Sequence, residues 1–233
     1  MRLHFFGCSL THGSEILKVG QNVCPAEAKE FTWPALVSKE LDVAYTNHAV
    51  WASTNRDITL QFLEQANQHT PGDIYVVVWT WPSRTNFWHQ NLSANNHSCI
   101  ISNNGSIYGD IDEFAEHWKK HTNDIEYSIQ SLLNFYTVNS LNVPIVNLFI
   151  TSWEILFDNW ILTQQLPDSR FSTVFNKSVL YNTYKNTTKH FNKQGLYYPM
   201  LTFKEVYFNN WHWNMAGHKK ISKKVLKEVD FLV

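Results

Sequence analysis

The chain has 233 residues, the length of one compact domain with insertions rather than of two full domains. Lys and Arg number 19 against 20 Asp and Glu, a formal net charge of −1, so bulk attraction to nucleic acid or to anionic lipid is excluded as a basis for function. Charged residues make up only 17 %, while 10 Trp, 10 Tyr and 15 Phe leave aromatics to spare for a cleft or a partner surface once a core is filled.

Leu3 to Cys8 is a short apolar run broken at Gly7, which predicts a first strand. Trp33 to Leu41, with Pro34 in its first turn, predicts a helix, and Asp42 to Val50 a second strand. A further helix starts at about Thr54, capped by Ser53 or Thr54 with Asp57 in its first turn. It carries Ile58, Phe62, Leu63 and Ala66 at helical spacing and ends at Pro71-Gly72. Ile74 to Trp79 is a β-branched run without polar alternation, as expected of a strand covered on both faces in mid-sheet.

From 82 to 111 the chain is rich in Asn, Ser and Gly and is longer than an ordinary connection, which predicts a functional or mobile excursion. A helix is expected around Phe114 to Val138, and a buried strand over Val143 to Ile150 with Pro144 near its beginning. Helical pieces follow between Trp153 and Gly195. The closing helix, Ala216 to Val229, sets Ile221, Val225 and Val229 on one face and Lys219, Lys220, Lys223, Lys224 and Lys227 opposite. Strands alternating with helices predict an α/β single domain over 1–233, layered around a parallel sheet, with insertions around 82–111 and 166–198. Such sheets bind ligands at the carboxyl ends of their strands.

Cys8, Cys24 and Cys99 are an odd count without CxxC spacing, so neither a disulfide framework nor a zinc site is indicated. The opening Met1-Arg-Leu-His-Phe-Phe-Gly-Cys-Ser is too short an apolar stretch for a signal peptide, and no run reaches the roughly 18 apolar residues of a membrane span. A cytoplasmic protein is the expectation.

The residues just after each expected strand concentrate the chemistry. Ser9 follows the first strand beside Gly7, where a serine serves either as an ordinary helix cap or as a nucleophile. Cys8 should point to the opposite side, into the core. Asn47 to Asn55 follows the second strand, Thr80-Trp81-Pro82-Ser83-Arg84 the third, and Asn209 to His218 precedes the last helix. Trp51, Trp79, Trp81, Trp88, Trp211 and Trp213 stand at or near these ends, as cleft walls or as rim of the core. His12 and His48 fit a cleft wall or a polar surface better than a base, and His218 fits a structural place in the first turn of the closing helix. His212 and His218 have no third ligand at metal spacing.

In this order, the four segments resemble the SGNH/GDSL hydrolase superfamily, patchily but over nearly the whole chain. The chain is also similar to a phage-type variant in which the opening reads Phe-Gly-Cys-Ser and the second block ends in Ser-Asn. The resemblance implies a three-layer flavodoxin-like fold with a central parallel sheet and no cofactor or metal. It also implies a serine esterase acting on small esters or O-acetylated carbohydrate. Ser9 then corresponds to the nucleophile and His212 to the general base. Ala52 stands where the family usually has an oxyanion-binding glycine, and Asn55 either adds a side-chain amide or holds the turn.

Two departures bear on activity. Asn209 and Asn210 stand where the family has the aspartate that orients its histidine, which implies slow turnover unless a carboxylate such as Glu205 or Asp158 takes over. The third segment lacks the family's asparagine, so Thr80 or Arg84 must complete the oxyanion site, or it has two donors only. Arg84 could equally grip an anionic substrate group or stay a solvated loop residue. A non-catalytic, hydrolase-like carbohydrate-binding or virion-associated module and an O-acyltransferase are the alternatives. The sequence is silent on oligomeric state.

Overall fold

A computed structural model of the chain describes residues 1–14, 16–17, 24–80, 85–86, 100–101, 107–108, 124–150 and 212–229. The first strand, β1, is Arg2–Phe6, and a single helical turn, α1, is Ser9–His12. A 3-10 helix over Ala26–Phe31 leads into α2, Trp33–Leu41, which is followed by β2, Ala44–Asn47. Next come α3, Asn55–Ala66, and β3, Ile74–Trp79. Three two-residue strands follow: β4 Thr85–Asn86, β5 Ile100–Ile101 and β6 Ile107–Tyr108. The remaining elements are α4, Asp124–Asn139, β7, Ile145–Phe149, and α5, Met215–Val229.

Strands β2, β1, β3 and β7 form one sheet in that order, every pairing parallel. This is the 2-1-3-4 strand order with which a flavodoxin-like sheet begins. β3 lies between β1 and β7, and all six of its residues are buried, which is what its unbroken apolar run requires. Ile74, Val76 and Val78 point to one face, where they pack with Leu3, Phe5, Leu148, Trp33 and Val37 of α2, and Ile221 and Val225 of α5. Tyr75, Val77 and Trp79 point to the other, against Ile58 and Phe62 of α3 and Leu132, Phe135 and Val138 of α4. The result is three layers, helices on both faces of a parallel sheet.

Local chemistry sets the element ends. Thr54 caps α3 with a reciprocal pair: its hydroxyl accepts from the Asp57 N–H, and the Asp57 carboxylate accepts from the Thr54 N–H at 2.8 Å. The Thr70–Asp73 turn into β3 is closed by the Asp73 N–H on the Thr70 carbonyl, with Pro71 and then Gly72 at φ +91° in its two central places. In mid-β7, the buried Asn147 accepts from the Trp79 indole N–H at 2.8 Å and donates to Asn139 at 2.7 Å, so a polar side chain in the core is satisfied.

The second strand is shorter than the expected Asp42 to Val50. Regular β2 stops at Asn47, whose side-chain oxygen accepts from the Ala49 N–H in a local turn, while the His48 and Val50 N–H groups still reach the Phe5 and Gly7 carbonyls. The excursion at 82–111 contains an antiparallel sheet, β4-β5-β6, which periodicity did not anticipate because each strand is only two residues long. The first part of the helix expected from Phe114, the pieces between Trp153 and Gly195, and the insertion at 166–198 lie outside the described residues. Among the described residues, no helix is long and apolar enough to cross a membrane.

Gly7 joins β1 to α1 at a point with no room for a side chain. A Cβ there would stand 2.3 Å from Thr11 Oγ1, 2.8 Å from Thr11 Cβ and 3.2 Å from Val78 Cβ. Gly7→Ala is therefore expected to destabilise the fold by about 1–3 kcal/mol. Urea denaturation should show a lower midpoint with an unchanged slope.

Candidate functional site

The carboxyl ends of β1, β2 and β3 lie along one edge of the sheet, as parallel pairing demands. From β1 the chain passes through Gly7 and the extended Cys8 into α1, whose first residue is Ser9. Cys8 is fully buried in the core, as expected, with Leu10 beside it in the same cluster. The N–H groups of Ser9 and Leu10 open the turn and so take no carbonyl within it. The Thr11 and His12 N–H groups both reach the Cys8 carbonyl at 2.9 Å. Ser9 itself is only 4 % exposed, more covered than a strand-end serine is expected to be, because both of its neighbours anchor in the core.

The segment after β2 runs alongside this turn. The His48 N–H donates to the Phe5 carbonyl at 2.8 Å and the Val50 N–H to the Gly7 carbonyl at 3.3 Å, while the Asn47 amide donates to the Thr11 carbonyl at 3.0 Å. The chain then reverses through Val50–Ser53, closed by the Ser53 N–H on the Val50 carbonyl. Ala52, third in this turn, has φ +66°. That is the place where a type II turn needs a left-handed residue and ordinarily takes glycine. Trp51, just before it, is among the exposed large hydrophobics at 36 %.

Asn55, the first residue of α3, is buried and fully engaged. Its side-chain oxygen accepts from the Thr80 N–H at 2.9 Å, and its NH₂ donates to the Thr80 carbonyl at 3.3 Å and the Ser131 hydroxyl at 3.1 Å. With both amide protons and the oxygen in use, this side chain ties the exit of β3 to α3 and α4. Thr80 is fully buried, its peptide held by Asn55 and its hydroxyl without a hydrogen-bond partner among the described residues.

His212 is half-buried and precedes α5 by three residues. Asn214 caps that helix, its side-chain oxygen accepting from the Gly217 N–H at 3.0 Å. Trp213 is buried in the core cluster that also contains Cys8 and Leu10, so the residues flanking Ser9 and the residue following His212 belong to one packed unit. His218 is fully buried within α5. Arg84, Asn209, Asn210, Glu205, Asp158, Trp81, Trp88 and Trp211 lie outside the described residues. Trp79 is a core residue.

A cluster of rings on the α3/α4 face escaped sequence analysis. His4 Nδ1 and His48 Nε2 lie 3.1 Å apart with their rings stacked, and His48 also stacks on Phe6 at a centroid distance of 4.8 Å. His4 Nε2 faces Asp73 at 3.5 Å. The only sequence signal was that alternation along β1 puts His4 and Phe6 on one face. His12 is bonded to the Ser14 hydroxyl at 3.0 Å, and burial lowers its pKa. Among the described residues, no group of three or more His, Cys, Asp or Glu side chains could hold a metal ion.

No family model matches the chain, and no curated protein does. Among solved structures it is similar to TesA, at 12 % identity and a TM-score of 0.49 over 100 % of both chains. It is also similar to a protein assigned to the lipolytic G-D-S-L family from Desulfitobacterium hafniense DCB-2, at 12 % identity and a TM-score of 0.44, covering 97 % of this chain and 98 % of that one.

Two predictions follow from the site. A left-handed alanine costs about 1 kcal/mol more than a left-handed glycine. Ala52→Gly should therefore leave stability unchanged or raise it by up to about 1 kcal/mol, while Ala52→Val lowers it by more than about 1 kcal/mol in thermal or urea unfolding.

The second concerns pH. Burial, with the His4 ring adding to it, lowers the His48 pKa from 6.5 to about 4, and burial, with His212 adding, lowers that of His218 to about 3. Between those values and 6.5 the unfolded chain binds the more protons. The stability these neutral rings contribute is thus whole above about pH 6.5 and is lost as pH falls through about 4 and then about 3. Unfolding followed from pH 7 to pH 4 should show this loss, and His48→Gln should shrink it by on the order of 2 kcal/mol.

Proposed function

We propose that the chain is a serine ester hydrolase in which Ser9 is the nucleophile, His212 the general base, and the N–H groups of Ser9 and Ala52 the oxyanion donors. The Ser9 hydroxyl adds to the acyl carbonyl as its proton passes to the His212 imidazole, and the resulting oxyanion is met by the two N–H groups. Collapse returns the proton from His212 to the departing alcohol. Water, deprotonated by the same imidazole, then releases the acid from the acyl-Ser9.

The observation that carries this reading is the Val50–Ser53 turn. It is bonded to the exit of β1 beside Ser9, and it holds a non-glycine residue at φ +66° at the position where the SGNH pattern places its oxyanion glycine. Replacing glycine by alanine there keeps the backbone donor. Strain of this kind, kept at a strand end, is characteristic of functional sites. The exposed face of Trp51 on the same turn suits a sugar ring or a short acyl group, which favours small esters or O-acetylated carbohydrate as substrates.

Asn209 and Asn210 support a second reading, a binding module that keeps the cleft and has lost turnover. An asparagine accepts a hydrogen bond from the imidazole but does not neutralise the imidazolium, and the corresponding exchange in a serine protease costs about 10⁴ in kcat. Slow hydrolysis is therefore expected. A serine-directed phosphonate probe should label the wild type and leave Ser9→Ala unlabelled, and short-chain aryl esters should be cleaved by the wild type only. Equal labelling of both proteins would contradict the assignment of Ser9, while absent labelling and hydrolysis with retained sugar binding would favour the binding module.

A further inference from the structure

We infer that His218 is a positioning residue for His212: its imidazole caps the first turn of α2 and braces Trp213, fixing the path along which the chain carries His212 into α5. The inference rests on His212 being the general base.

Three contacts converge on this one side chain and its peptide. The Trp33 N–H, the first of α2 and without a partner inside that helix, donates to His218 Nδ1 at 3.1 Å across 185 positions of sequence. The His218 N–H donates to the Asn214 carbonyl at 3.0 Å. The Trp213 ring meets the His218 ring edge to face at a centroid distance of 5.9 Å. Trp213 stands just before the capping residue Asn214, and His218 is the fourth residue of α5. They therefore occupy the two places whose contact, in a hydrophobic staple, sets the angle at which a chain enters a helix. His212 is the next residue out from Trp213.

Because Nδ1 accepts, the ring proton of a neutral His218 must be on Nε2. That nitrogen is buried and has no hydrogen-bond partner among the described residues. Burial keeps the ring neutral, so the acceptor persists throughout the pH range in which an ester hydrolase works. A phenylalanine would fill the same space without the unpaired Nε2–H, but it would leave the buried Trp33 N–H without its acceptor. The imidazole is thus used for a bond between α2 and α5, the two helices that cover the same face of the sheet.

The test uses the full chain with two substitutions and one measurement on the wild type. His218→Asn keeps an acceptor at the place of Nδ1, whereas His218→Phe keeps a ring against Trp213 and removes the acceptor. His218→Phe should lower kcat for an aryl ester about 10- to 100-fold with little change in KM, and should displace the NMR titration of the His212 ring. His218→Asn should restore kcat to within about tenfold of the wild type. In the wild type, ¹⁵N NMR should show His218 as the Nε2–H tautomer, not titrating between pH 5 and 8.

A folded His218→Phe protein with wild-type kcat and an unshifted His212 titration would overturn the inference. So would an Nδ1–H tautomer in the wild type, which decides the matter even if the Phe variant does not fold. Failure of the hydrolase reading looks different: wild-type protein without esterase activity, or activity that survives His212→Ala.

Discussion

The candidate site depends on one short run of backbone hydrogen bonds. Beyond the end of β2, the His48 and Val50 N–H groups continue onto the carbonyls of Phe5 and Gly7, and the Asn47 amide donates to the Thr11 carbonyl in α1. These bonds set two irregular segments side by side at the carboxyl edge of a rigid sheet. They tolerate no slack on the other side either, since Gly7 is pressed against Thr11 and Val78. A loop alone would not hold a left-handed alanine beside a helix opening. A loop tied on both sides to a buried strand does.

Polar side chains in dry surroundings extend the same logic to the neighbouring elements. Asn55 holds the Thr80 peptide at the exit of β3, Asn147 links Trp79 to Asn139, and His218 serves as an acceptor at the start of α2. Each such group would be costly if left unpaired, so each admits few alternative arrangements. The apolar faces determine that helices cover the sheet, whereas these polar pairs determine how far along and at what angle they sit. The stacked His4 and His48 rings follow the opposite principle. They are stable as neutral partners, and acid turns their closeness into repulsion.

Much of this was legible from residue patterns, and the limits of legibility have a physical cause. Ile74 to Trp79 was readable to the residue because an unbroken apolar run flanked by Pro-Gly and a polar exit has only one comfortable place in a layered domain. The cap of α3 was narrowed to Ser53 or Thr54, and Thr54 with Asp57 forms it, because that chemistry lies within four residues. What did not show were the pairs made across the fold: His4 with His48 over 44 positions, Asn55 with Ser131 over 76, and Trp33 with His218 over 185. No local pattern carries such contacts. The two roles open to Asn55 on sequence alone differ only in whether its amide protons already have acceptors, and that is a property of the packed chain. The assignments at Arg84, Asn209 and Asn210 rest on sequence alone.

The proposed mechanism requires the N–H groups of Ser9 and Ala52 to face a common point where negative charge develops. A crystal structure of the phosphonylated protein tests it directly. A covalent bond to Ser9 Oγ is expected, with the phosphonyl oxygen within about 3.2 Å of both nitrogens. A phosphonyl oxygen turned to solvent, or an adduct on another serine, would contradict it.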